Sequence, residues 1–130
     1  WVEWKDESLL FTFSGSLYTW MTFHKDISGY NSWEMDLEFP LTGKVELEIE
    51  DCFEKRWKWE AVIGKEHKKL QIPFESFSGE GKRPYTIERL TLRFSPEEKG
   101  SRSSLKIYSM NPSQPDPLKG PWTAFDPLFA

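Results

Sequence analysis

Two short stretches restrict this chain more than any other feature. Trp33, Met35, Leu37 and Phe39 alternate with Glu34, Asp36 and Glu38, and Val45, Leu47 and Ile49 alternate with Glu46, Glu48 and Glu50. A helix would scatter those apolar side chains around its axis, whereas a strand sends successive side chains to opposite faces. The period of two therefore calls for strands with one buried and one solvated face, as in an antiparallel sheet. Pro40 and the turn Leu41-Thr42-Gly43-Lys44 separate the two runs, which predicts that they pair as a hairpin.

The alternation recurs. Leu90, Leu92 and Phe94 alternate with Arg89, Thr91 and Arg93, and Leu105 and Ile107 with Lys106 and Tyr108. These runs are expected to stop at Ser95-Pro96 and Asn111-Pro112. Leu9 to Phe13 and Tyr18 to Phe23 read as strands on either side of Ser14-Gly15-Ser16. From Phe53 to Lys69 two periods overlap, because Phe53, Trp57 and Ala61 are also spaced as on a helix. The strict alternation of Trp57, Trp59, Ala61 and Ile63 with Lys58 and Glu60, and the stop at Gly64 before Leu70, Ile72 and Phe74, favours strands. About eight strands with evenly spaced turns and no major helix define an all-β antiparallel sandwich, or jelly roll. Within 130 residues one domain is expected over 1–112. A proline-rich extended tail, 113–130, follows it, partly docked through Trp122, Phe125, Leu128 and Phe129.

Charge and chemistry remove several classes of function. Lys and Arg total 17 against 21 Asp and Glu, a net charge of −4 that argues against nucleic acid or an anionic membrane held by bulk electrostatics. No apolar run is as long as a membrane span, and no basic-then-apolar leader stands ahead of Trp1. An opening Trp without Met suggests a piece of a longer or processed chain. Cys52 is the single cysteine, so no internal disulfide forms. With only His24 and His67 for bases and no Gly-x-Ser-x-Gly elbow, nothing organises a hydrolase triad, and the Cys and His spacings match no zinc site. Gly79-Glu80-Gly81-Lys82 lacks the Lys-Ser/Thr ending of a phosphate loop and reads as a turn. Pairs of carboxylates suited to glycoside chemistry leave no spacing signature, so a small glycan-active enzyme stands last among the readings.

The outlying number is the aromatic content: 7 Trp, 4 Tyr and 10 Phe, 16% of the chain. Trp33 shares its parity with Met35, Leu37 and Phe39 and belongs to the core. Trp57 and Trp59 share a face about 6.6 Å apart, a face that reads equally as core or as a two-ring platform. Tyr18, Trp20, Thr22 and His24 share a face of mixed polarity, which marks it as the exposed one. An exposed indole beside Arg and Glu suits a sugar, whose apolar C–H face stacks on the ring while its hydroxyls bond to the charged rim. The candidate sugar-binding residues are Trp20, Trp57 and Trp59, with Tyr18, His24, Arg56 and Glu60 as polar neighbours.

Leu70-Gln71-Ile72-Pro73-Phe74-Glu75-Ser76-Phe77 resembles the strand and turn "apolar-x-Ile-Pro-Phe-x-x-Phe" of jelly-roll, galactose-binding-like carbohydrate-binding modules. The similarity continues through Ile87 to Phe94 and through Leu105-Lys106-Ile107-Tyr108-Ser109-Met110 as closing strand, with Ile27 to Trp33 as the approach to a central strand. It implies a noncatalytic, secreted module that carries an attached catalytic domain of a polysaccharide-degrading enzyme to its substrate. Tyr108 stands where the closing strand of such modules often carries an Asp, so a structural calcium has no support and no cofactor is expected. The main rival is a structural sandwich whose aromatics seal an interdomain interface, which the proline tail and Trp1 and Trp4 favour.

Overall fold

The computed structural model describes residues 2–5, 8–98 and 102–114. They form ten strands: β1 (Val2–Lys5), β2 (Ser8–Ser14), β3 (Leu17–Asp26), β4 (Ser32–Glu38), β5 (Gly43–Glu50), β6 (Arg56–Ile63), β7 (His67–Pro73), β8 (Ser78–Gly79), β9 (Thr86–Pro96) and β10 (Arg102–Ser113). One 3-10 turn, Phe74–Ser76, is the only helical element among them. The strands divide into a back sheet in the order β1-β2-β10-β4-β7 and a front sheet in the order β3-β9-β5-β6-β8. Every pairing is antiparallel. This is the jelly-roll sandwich expected from the alternation. The strands beyond eight are the short edge pieces β1 and β8, too brief to carry a period.

The segment from Phe53 to Lys69 holds β6 and β7, so the two-residue period prevails over the four-residue one. The expected hairpin of β4 with β5 does not form. Both strands have one apolar face, but β4 pairs with β10 and β7 in the back sheet while β5 pairs with β6 and β9 in the front sheet. The Pro40–Thr42 connection therefore steps from one sheet to the other, and the two apolar faces meet across the core. Two strand ends also differ from expectation. β9 continues through Pro96 and β10 through Pro112. At those points each strand retains one neighbour, since β3 leaves β9 after Phe94 and β2 leaves β10 after Ile107, and a strand paired on one side tolerates a missing N–H.

Trp33, Met35 and Leu37 of β4, Val45, Leu47 and Ile49 of β5, and Leu90, Leu92 and Phe94 of β9 fill the space between the sheets, all buried. Ring contacts bridge the layers: Phe23 meets Trp33 edge-on at 5.7 Å and Phe39 lies 5.5 Å from Phe94. The Leu70 to Phe77 motif earns its aromatics structurally. Pro73 opens the 3-10 turn, Phe74 N–H donates to Asn31 O at 2.9 Å, and Phe74 and Phe77 are both buried. Trp122 and the rest of the tail's aromatics lie outside the described residues.

Candidate functional site

The two sandwich faces exposed to solvent differ in what their side chains already do. On the back sheet, His67 Nε2 lies 2.6 Å from Asp36 Oδ1, its ring stacks on Tyr108 at 4.8 Å, and Tyr108 O–H donates to Glu38 at 2.7 Å. Those groups satisfy one another. Tyr108 is thus engaged as a hydrogen-bond donor. Among the described residues no three His, Cys, Asp or Glu side chains gather as a metal would require.

On the front sheet, register builds ordered rows. Trp20 of β3 stands opposite Thr91 of β9, which faces Glu48 of β5, which faces Lys58 of β6. The next row runs Tyr18, Arg93, Glu46, Glu60, and the row on the other side runs Thr22, Arg89, Glu50, Arg56. Adjacent strands are about 4.8 Å apart, so each row spans roughly 14 Å from β3 to β6. A depression of about 130 Å³ lies in the middle, lined by Glu46, Glu48, Arg56, Lys58, Thr91 and Arg93.

The aromatic edge of this face is Trp20 and Tyr18, 57% and 54% exposed. Their rings meet edge-to-face at 5.9 Å, and the Arg93 guanidinium lies 4.6 Å from the Tyr18 ring centre. Tyr18 thereby holds both the indole and the guanidinium in place, leaving the indole open. Acidic and basic side chains are interspersed across the face, and the adjacent carboxylates Glu46 and Glu60 are served by Lys44 and Lys58. Lys58 Nζ is 3.6 Å from Glu46, Arg89 3.9 Å from Glu50, and Lys44 pairs with Glu60. The hydrogen bond and charge of Lys44 hold the Glu60 carboxyl below its usual range, and Glu60 in turn raises the Lys44 ammonium.

Of the residues picked out in the sequence, Tyr18, Trp20, Arg56 and Glu60 come together on this face. His24 lies at its far end, where β3 shifts register between Thr22 and Lys25; His24 has φ 78° and its Nδ1 is 2.7 Å from Glu88. The tryptophan pair of β6 goes elsewhere. Trp57 is 3% exposed within the core, and Trp59 is half-buried against it. Their expected role as a sugar platform is corrected on that ground: they oppose Ile49 and Leu47 on the inner side of the sheet, where burial of an indole is more favourable than its exposure. Arg93, Thr91, Glu46, Glu48 and Lys58 are not among the candidates picked out in the sequence. Their parity shows that they point outward, and only the pairing of β3, β9, β5 and β6 brings them beside Trp20.

No protein-family model and no curated protein matches the sequence. Solved structures do share the fold. The family 11 carbohydrate-binding module of the cellulosomal cellulase Lic26A-Cel5E of Clostridium thermocellum is 12% identical, with 83% of this chain and 75% of that one covered, at a TM-score of 0.59. A carbohydrate-binding module specific for non-crystalline cellulose, CBM28, is 10% identical over 88% of this chain and 80% of that one, at a TM-score of 0.59. An agarase, AgWH50C, is 10% identical over 88% of this chain, at a TM-score of 0.59, but the match spans only 22% of the agarase. The jelly roll seen here is therefore a fold shared with carbohydrate-binding modules and with part of an agarase.

Proposed function

We propose that this protein is a noncatalytic carbohydrate-binding module whose front sheet holds a neutral polysaccharide. The observation that carries this reading is the open indole of Trp20 beside rows of matched charges. One sugar ring stacks on Trp20, and the following units cross toward β6, exchanging hydroxyl hydrogen bonds with Thr91, Arg93, Glu48 and Lys58 and, at the depression's rim, with Arg56. Adjacent donors and acceptors of opposite charge suit vicinal hydroxyls, which both give and accept hydrogen bonds. The module would act by effective concentration, keeping an attached catalytic domain of a secreted enzyme near its substrate. The fold of the two carbohydrate-binding modules supports this reading.

Calorimetric titration against soluble β-glucans, mannans and xylans tests it. Binding to one of these glycans is expected, with Trp20→Ala weakening it at least tenfold while the folded spectrum stays intact, as losing a central stacked ring does. Binding to none of them, or full binding by the variant, would contradict it. A second reading, a structural sandwich inside a larger enzyme, is favoured by the fold's occupying only about a fifth of the agarase chain. Under that reading Trp20 contacts a neighbouring domain and no glycan binds.

A further inference from the structure

A second concavity lies away from the sugar face, at the end of the front sheet where the β5–β6 turn approaches the start of β9. Its volume is about 300 Å³, at the lower end of the range for small-ligand pockets. Three aromatic side chains line it: Phe53, Tyr85 and the edge of Trp57. Phe53 is 78% and Tyr85 52% exposed, although both sit on tightly held backbone.

The turn that carries Phe53 is built around Asp51, which is buried. Its Oδ1 accepts from the N–H groups of Phe53 at 2.9 Å and Lys55 at 2.8 Å. Glu54 takes φ 67°, a left-handed conformation unfavourable for a side chain with a Cβ, and Cys52 N–H donates to Thr86 Oγ1 at 3.0 Å. On the other wall Arg83 donates to the carbonyls of Tyr30 and Ile27 at 2.8 Å each, with Phe74 and Tyr85 on its faces at 4.9 and 4.8 Å. The Trp57 indole N–H donates to Gly81 O at 3.2 Å, which closes the floor. A rigid turn presenting a bare phenyl ring to water is a preorganised contact surface without a folding role of its own.

The polar groups give the ligand its sign. Lys55 and Lys82 line the cavity, and among the described residues neither has a carboxylate within ion-pair distance. The carboxylate that lines it, Asp51, is spent on backbone N–H groups. Two uncompensated ammonium groups beside two exposed rings suit a ring with an apolar face and an anionic substituent. We infer that this end cavity is a second binding site, for a single acidic sugar residue, a pyranose bearing a carboxylate or a sulfate. The net charge of −4 disfavours a long polyanion, so the ligand is one acidic unit at a chain end or branch.

Titrating the full chain with a glucuronic-acid-terminated disaccharide, a sulfated disaccharide and their uncharged counterpart, followed by amide chemical shifts, tests this. Shifts at residues 53, 55, 82 and 85 are expected with at least one acidic sugar, and the preferred one tells carboxylate from sulfate. Lys82→Gln or Phe53→Ala should weaken that binding at least fivefold, and raising the salt should weaken it further. Both positions are on the surface, and neither variant should alter binding of neutral polysaccharide at Trp20, so failure of either site is seen separately. Equal binding of charged and uncharged sugars, shifts confined to the front face, or no binding at millimolar concentration would overturn the inference.

Discussion

At the scale of single residues, parity and partnership decide what each aromatic does. Trp20 and Trp57 both stand in strands of the front sheet, yet one is open and the other is in the core. Trp57→Ala should cost about 3–5 kcal/mol in chemical denaturation, as truncation of a buried indole does, whereas Trp20→Ala should leave the unfolding midpoint nearly unchanged and remove glycan binding. Equal destabilisation by the two would refute this division. Arg83→Ala should cost about 2–3 kcal/mol, because it leaves the Tyr30 carbonyl without its donor, takes one of two donors from the Ile27 carbonyl, and unstacks Phe74 and Tyr85. Arg83→Lys should recover little of that, since an ammonium cannot match the planar fork. Trp33 was legible as core from sequence because its neighbours in phase are all apolar. Trp57 was not, because Lys55, Arg56, Lys58 and Glu60 surround it in the chain while Ile49 and Leu47, which settle its side of the sheet, come from β5.

At the scale of elements, strand identity was readable and strand partnership was not. The period of two located β4, β5, β9 and β10, whereas the sheet to which each belongs depends on contacts distant in the chain. A tight turn after Pro40 serves a hairpin or a step between sheets equally well, and burial of both apolar faces selects the step. The rows of the candidate site follow from that choice, since Arg93, Thr91 and Arg89 reach Glu46, Glu48 and Glu50 only when β9 lies beside β5. At the edge, Gly79 lets the short β8 lie flat on β6, and a methyl there would collide with Arg56 O and the Trp57 ring. Gly79→Ala should release β8, seen as faster amide exchange at Ser78 and Lys58 with the rest of the front sheet still protected. Unchanged protection would show that the strand accommodates the methyl.

At the scale of the whole molecule, the front face combines the proposed binding surface with a weak electrostatic contribution to folding. Glu60 and Asp26 both have depressed folded-state values, from Lys44 and from the Ser28 hydroxyl respectively. A depressed carboxyl contributes stability that is present above its unfolded value and lost as pH falls through the folded one. Thermal midpoints should therefore fall below roughly pH 4, and Glu60→Gln should flatten part of that fall, by a small amount because both groups are fully exposed. An unchanged profile in the variant would show that the Lys44 pair adds nothing. The central claim concerns where a neutral glycan sits, and amide and indole chemical-shift mapping during titration with a neutral oligosaccharide tests it most directly. The account predicts changes at the Trp20 indole and at Tyr18, Thr91, Arg93, Glu48 and Lys58; changes confined to the back sheet around His67 and Tyr108, or none anywhere, would contradict it.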